Sequence, residues 1–135
     1  DRPAIAYVGD GAWGMSLAEV MTAVREKIPV VAVIFDNGQW GAEKRNQIDY
    51  FDSRFLGTEL DNPDFADVAR AMGAQGLTVE HEDQVGDALL AAIALNQPTV
   101  INLRLTQTLG DPFRRDAFKP PRRLLAKYAA YSARD

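Results

Sequence analysis

With 135 residues, 47% of them hydrophobic and 25% charged, the chain has the size and composition of one globular domain. Its net charge of −4 offers no basic excess to neutralise nucleic-acid phosphates, and no apolar run approaches the roughly 20 residues of a membrane span. The absence of cysteine removes disulfides, thiolate catalysis and Cys-ligated zinc, and a lone His81 leaves no multi-His metal site.

Asp1-Arg2-Pro3 runs straight into an apolar segment with no signal peptide, and we expect a piece of a longer chain. Ala4 to Val8 is a short apolar run ending at Gly9 and predicts a buried strand. Gly9 to Gly14 is glycine-rich and predicts a loop. Ser16-Leu17-Ala18-Glu19 has the capping-box pattern, so a helix is expected from Ser16. Leu17, Val20, Met21, Val24 and Ile28 recur at the helical period, and Pro29 ends the run. Val30 to Phe35 is apolar and β-branched, as in a strand covered on both faces of a parallel sheet. Residues 36 to 62 show no long periodicity; a connection of that length is usually functional.

Asn62-Pro63 predicts the next helix start, with Phe65, Val68, Ala69 and Met72 as its inner face and Gly73 as its end. A strand over Gly76 to Val79 follows. Glu82 to Asn96 predicts a helix with Val85, Ala88, Leu89, Ala92 and Ile93 on one stripe, and Thr99 to Leu105 a further strand. Leu109 to Pro121 reads as a loop rich in Pro and Arg, and Arg122 to Tyr131 as a terminal helix. The alternation predicts the α/β class: a Rossmann-like, mostly parallel sheet flanked by helices, with right-handed crossovers.

Ligands of open α/β sheets bind beyond the carboxyl ends of the strands. Gly9-Asp10-Gly11 follows the first predicted strand, and Asp36-Asn37-Gly38-Gln39-Trp40-Gly41 follows the second. If those strands are neighbours, both segments meet at one edge. Glycines at 9, 11 and 14 let backbone approach a phosphate closely. Magnesium takes one or two protein oxygens beside those of a phosphate, and the Asp10 carboxylate and Asn37 amide oxygen are of that kind. Either segment alone is an ordinary turn. Their joint occurrence after consecutive apolar strands is what points to a metal and a diphosphate. Trp13 and Trp40 flank the segments, either as core residues or as contacts for cofactor or substrate.

On these residues the whole chain resembles the C-terminal, diphosphate-binding domain of thiamine diphosphate enzymes of the acetolactate synthase–pyruvate oxidase type. The run Asn62-Pro63-Asp64-Phe65 through Ala74-Gln75-Gly76 follows the usual order of that domain. The resemblance implies that residues 1–135 are the C-terminal domain of a longer multidomain chain, with thiamine diphosphate and Mg2+ as cofactors. It implies cofactor contacts from Gly9, Asp10, Gly11, Ala12, Trp13, Asn37, Gln39, Trp40 and Gly41. It implies metal ligation by Asp10, Asn37 and the Gln39 carbonyl. The family usually has Asn-Asn where this chain has Asp36-Asn37; the ligand Asn is kept, and the added charge of Asp36 is unexplained.

Two stretches, Gln39-Trp40-Gly41-Ala42-Glu43-Lys44-Arg45-Asn46-Gln47 and Leu109-Gly110-Asp111-Pro112-Phe113-Arg114-Arg115-Asp116-Ala117, resemble the sulfoacetaldehyde acetyltransferase branch of the family. That resemblance implies conversion of sulfoacetaldehyde and phosphate to acetyl phosphate and sulfite. Both substrates are anions, so Lys44, Arg45, Arg54, Arg114 and Arg115 are candidates to bind them, the alternative being solvated charges or ion pairs. It also implies a cytoplasmic homodimer or homotetramer whose activating Glu lies on another domain of the partner subunit. The chain alone is then expected to be inactive, and no catalytic residue is assigned within it. Nucleic acid and membrane are not expected as partners. Two alternatives stay open: another thiamine diphosphate enzyme, such as an acetolactate synthase or 2-oxoacid decarboxylase, and a non-catalytic nucleotide-binding module. The chain has no P-loop lysine for the latter.

Overall fold

The computed structural model describes residues 2–110. The expected terminal helix, most of the loop before it, and the candidates Arg114 and Arg115 lie outside the described residues. Four strands, β1 (Ala4–Gly9), β2 (Val30–Asp36), β3 (Gln75–Val79) and β4 (Thr99–Arg104), form one parallel sheet in the order β1-β2-β4-β3. Along β2 successive side chains alternate between faces. Ala32 and Ile34 join Val20, Phe65, Ala69, Ala74 and Val100 in one core cluster. Val31 and Val33 join Val79, Ala92, Ile101 and Leu103 in the other. The expected α/β sheet with helices on both faces is therefore present, and the strand bounds fall within a residue of the apolar runs.

The helices are α1 (Asp10–Ser16), α2 (Glu19–Arg25), α3 (Gly41–Tyr50), α4 (Phe65–Ala71) and α5 (Val85–Leu95). A 3-10 turn over Glu82–Gln84 leads into α5, and Asn96 at φ 50 ends it. The predicted inner stripe of α5 packs as expected against the second cluster.

The strand expected to be buried over Ala4 to Val8 is the edge strand β1, and none of its residues is buried, since β2 adjoins it on one side only. Three further expectations are corrected. The glycine-rich segment 9–14 is not a loop: α1 starts at Asp10, directly off β1. Leu17 and Ala18 keep right-handed helical dihedrals, and the bonds tighten to Val20 N–Leu17 O at 3.1 Å and Met21 N–Ala18 O at 3.2 Å. The chain is already helical when it reaches Ser16, so Ser16 caps nothing. On the inner face assigned to this run, Met21 and Ile28 are 54% and 47% exposed. Second, residues 41–50 form a helix that buries no residue, so no apolar stripe announces it. Third, α4 starts after Asp64 rather than at Asn62: Asp64 Oδ1 accepts the Ala66 N–H at 2.8 Å and the Asp67 N–H at 3.4 Å. That frees Asn62 for another task.

Candidate functional site

The β1–β2 register pairs Gly9 with Phe35, so residues 10 and 36 leave the sheet side by side. Asp10 is only 4% exposed. Its Oδ1 accepts the Gly11 N–H at 2.9 Å, and its Oδ2 accepts the Gly38 N–H at 2.8 Å. Asn62 Nδ2 also donates to Asp10 Oδ2, at 2.8 Å, and to Asp36 Oδ1, at 3.0 Å. Asp36 Oδ2 accepts from Asn102 Nδ2 at 3.2 Å. The two motif segments are thus joined directly, as the neighbouring-strand expectation required. The charge of Asp36, unexplained by sequence, is met by two asparagine amides. Neither Asn62 nor Asn102 is singled out by the motifs. A polar residue inside the apolar run Val100-Ile101-Asn102-Leu103 was the available signal.

The loop after β2 is fixed by a short antiparallel contact. Leu60 N–Gly38 O and Trp40 N–Thr58 O, both 2.8 Å, flank a bridge between Gln39 and Glu59. In that pattern the main-chain N–H and C=O of Gln39 face away from Glu59. The Gln39 side chain, in a residue 2% exposed, is spent on anchoring: Nε2 donates to Gln107 O at 2.8 Å, and Oε1 accepts from Lys44 Nζ at 2.9 Å. Asn37 is half-buried, and its side chain makes no hydrogen bond among the described residues. An Asp10 oxygen with a lone pair to spare, an uncommitted Asn37 amide and the Gln39 carbonyl are a hard oxygen set that suits magnesium.

Trp40 lies over Gly11, where an added Cβ would stand 2.7 Å from indole carbons. Trp13 packs against the first core cluster. Gly9 is exposed, Ala12 is half-buried on α1, and Gly41 opens α3. Of the candidate anion ligands, Lys44 pairs with Glu59 and sits 5.4 Å over the Phe55 ring, while Arg45 pairs with Asp49 at 3.1 Å. Both charges are met within the domain. Arg54 lines an open cleft of about 270 Å³ with Gln47, Phe51 and Leu56.

The Asp64 carboxyl has a lowered pKa. Burial works to raise it. Hydrogen bonds from the Thr78 hydroxyl, the Ala66 N–H, the Arg104 guanidinium and the Asp67 N–H outweigh burial and hold it below the ordinary value of 3.8.

Residues 9 to 14 also spell Gly-x-Gly-x-x-Gly, and Asp36 ends β2, where a dinucleotide site keeps an acid for ribose. Here Asp36 is 8% exposed and both its oxygens accept asparagine donors, so it is not offered to a ribose.

The family model for the thiamine pyrophosphate enzyme C-terminal TPP binding domain matches residues 1–103. A sulfoacetaldehyde acetyltransferase of Alcaligenes xylosoxydans xylosoxydans is 56% identical, covering 97% of this chain and 22% of the relative. That of Castellaniella defragrans is 54% identical, over 97% of this chain and 23% of the relative. The chain therefore spans between a fifth and a quarter of the length of these curated relatives. Among solved structures, benzoylformate decarboxylase from Polynucleobacter necessarius superposes with a TM-score of 0.76 at 30% identity, over 82% of this chain and 21% of that one. Among the described residues no helix is long and apolar enough to cross a membrane.

Proposed function

The chain belongs to the thiamine pyrophosphate enzymes, as their C-terminal TPP binding domain, and from that premise we propose that it anchors the diphosphate of the cofactor through Mg2+. In this reading residues 1–135 are one domain of a longer, cytoplasmic, homodimeric or homotetrameric enzyme. That enzyme converts sulfoacetaldehyde and phosphate to acetyl phosphate and sulfite.

The observation that carries the anchor is the bond from Gly38 N–H to Asp10 Oδ2, which brings both motif segments to one place. Asp10, Asn37 and the Gln39 carbonyl would hold the ion, and the ion would neutralise diphosphate charge. When bound, the cofactor supplies a carbon nucleophile and electron sink for chemistry beside a carbonyl. This domain's residues bind and orient it. Trp40 packs over the helical backbone at Gly11, and Lys44 holds Gln39 and with it the loop that carries the carbonyl. The substrate assignment is supported by relatives bearing the acetyltransferase name at 56% and 54% identity.

The test is an assay of the full-length enzyme. Phosphate-dependent sulfite release from sulfoacetaldehyde, lost in Asp10→Ala, is the expected result. Turnover of pyruvate or benzoylformate without turnover of the sulfonate would overturn the substrate assignment and leave the cofactor anchor standing.

A further inference from the structure

The Asn62 side chain stands between two buried carboxylates. Its Nδ2 lies 2.8 Å from Asp10 Oδ2 and 3.0 Å from Asp36 Oδ1. That nitrogen carries two N–H groups, so each carboxylate receives one. Asp10 and Asp36 are 4% and 8% exposed, so water screens neither of them well. Like charges so placed repel unless donors stand between them. Few side chains could do this. A Ser hydroxyl has a single hydrogen, a Gln amide is one methylene too long, and an Asp has no donor when ionised.

We propose that Asn62 is the positioning residue for Asp10, and that Asp36 is the fixed anchor that aims Asn62. The inference rests on the reading of Asp10 as a magnesium ligand. Asp36 is held from two sides: Asn102, which is 0% exposed, donates to its Oδ2 at 3.2 Å, and the Leu105 N–H donates to its carbonyl at 2.8 Å. Asn62 is held by its own sequence. Pro63 restricts it to extended backbone, and Asp64 locks the following helix by capping α4. At Asp10, the Gly38 and Asn62 donors both occupy Oδ2. Oδ1 takes only the neighbouring Gly11 N–H and keeps a lone pair for the ion. Metal affinity thereby depends on positions 36 and 62, neither of which touches the metal. The carboxylate at 36 offers one oxygen to each asparagine and makes both bonds charge-assisted; an Asn at that position has a single acceptor oxygen and no charge.

The experiment titrates Mg2+ into the full-length enzyme at fixed thiamine diphosphate, read by calorimetry and by tryptophan fluorescence. Asn62→Ala is expected to raise the half-saturating Mg2+ about ten- to hundredfold, with turnover recovered at saturating Mg2+. Asp36→Asn is expected to shift it in the same direction by less. The double variant should be no worse than Asn62→Ala alone, because both act through one bond; independent structural damage would add. A wild-type Mg2+ dependence in Asn62→Ala, or additive shifts, overturns the proposal. Asp10→Ala separates the two readings. If it too keeps the wild-type Mg2+ dependence, the metal-ligand reading fails. If Asp10→Ala loses it and Asn62→Ala does not, the positioning role alone fails. Should Asn62→Ala not fold, the shape-conserving Asp36→Asn decides, and an unchanged Mg2+ dependence there overturns the proposal.

Discussion

The Gly38 N–H donates to Asp10 Oδ2 across 2.8 Å, joining residues 28 positions apart. The parallel pairing of β1 with β2 makes that approach possible, and Gly38 meets it with φ 66, a conformation open to glycine at little cost. The two halves of the proposed anchor are therefore assembled by the sheet and by bonds of the protein's own.

Removing that carboxylate should cost both stability and cofactor. Asp10→Ala leaves the Gly11 and Gly38 N–H groups and one Asn62 N–H without their acceptor. A fully buried donor so orphaned costs about 1–3 kcal/mol, and these half-buried groups the lower end of that range. The unfolding midpoint of the full-length enzyme should fall. In scanning calorimetry, Mg2+ and thiamine diphosphate together raise the midpoint of the wild type, as ligands of the native state do. They should leave the midpoint of Asp10→Ala where it was.

Gly11 offers a test by sign reversal. It lies inside α1, where Ala is favoured over Gly by about 1 kcal/mol. Against this, a Cβ at Gly11 would stand 2.7 Å from Trp40 ring carbons, so the indole must move. Gly11→Ala is expected to destabilise and to shift tryptophan fluorescence. In a Trp40→Ala background the same change should stabilise by up to about 1 kcal/mol. Denaturant melts of the four proteins check it; a Gly11→Ala effect that keeps its sign in both backgrounds defeats the packing argument.

The strands were legible because apolar runs bounded by Gly9, Pro29 and Pro98 mark them; β2 and β4 are buried as such runs imply, while β1 lies at the sheet edge and is not. The meeting of the two motif segments was legible because both follow such strands. α3 was not legible: none of its residues is buried, so periodicity had nothing to report. The glycines at 9, 11 and 14 counted against helix by propensity, but contact overrides propensity where Trp40 demands a residue without Cβ at 11. Met21 and Ile28 show the converse, since a period names a face without saying whether anything covers it. Asn62 and Asn102 reach their carboxylates over 52 and 66 positions, a relationship that exists only once the fold does.

Lys44 separates an anchoring role from an anion-binding one. Its ammonium is shared between Glu59 and Gln39 Oε1 and lies over Phe55. Lys44→Met removes the charge and leaves the stem. Steady-state kinetics should show unchanged KM for sulfoacetaldehyde and phosphate when cofactor is saturating, with weaker Mg2+ and thiamine diphosphate retention. A raised KM for either anion, with cofactor retention intact, would return Lys44 to the substrate site.

Asp64 sets an acid limit on the stability of α4. Its carboxyl is held below 3.8 in the folded chain because hydrogen bonds from Thr78, Ala66, Arg104 and Asp67 prevail over burial. A carboxylate of lowered pKa stabilises the fold fully above its unfolded value, and that stability is lost as pH falls through the folded value. Asp64→Asn is the probe: Asn caps a helix as well as Asp does, while the charge and the Oδ2 acceptor that serves Thr78 and Arg104 are removed. The stability difference between wild type and Asp64→Asn should be flat from neutral pH down to about pH 5. Below 3.8 it should shrink as Asp64 takes up a proton and its bond from Arg104, 3.0 Å long, loses its charge assistance. Urea melts of the full-length enzyme at several pH values, with the Asp64 carboxyl followed by carbon-detected NMR, measure both quantities. A difference that grows on acidification would mean that the folded state raises the Asp64 pKa and that burial, not the four donors, governs the group.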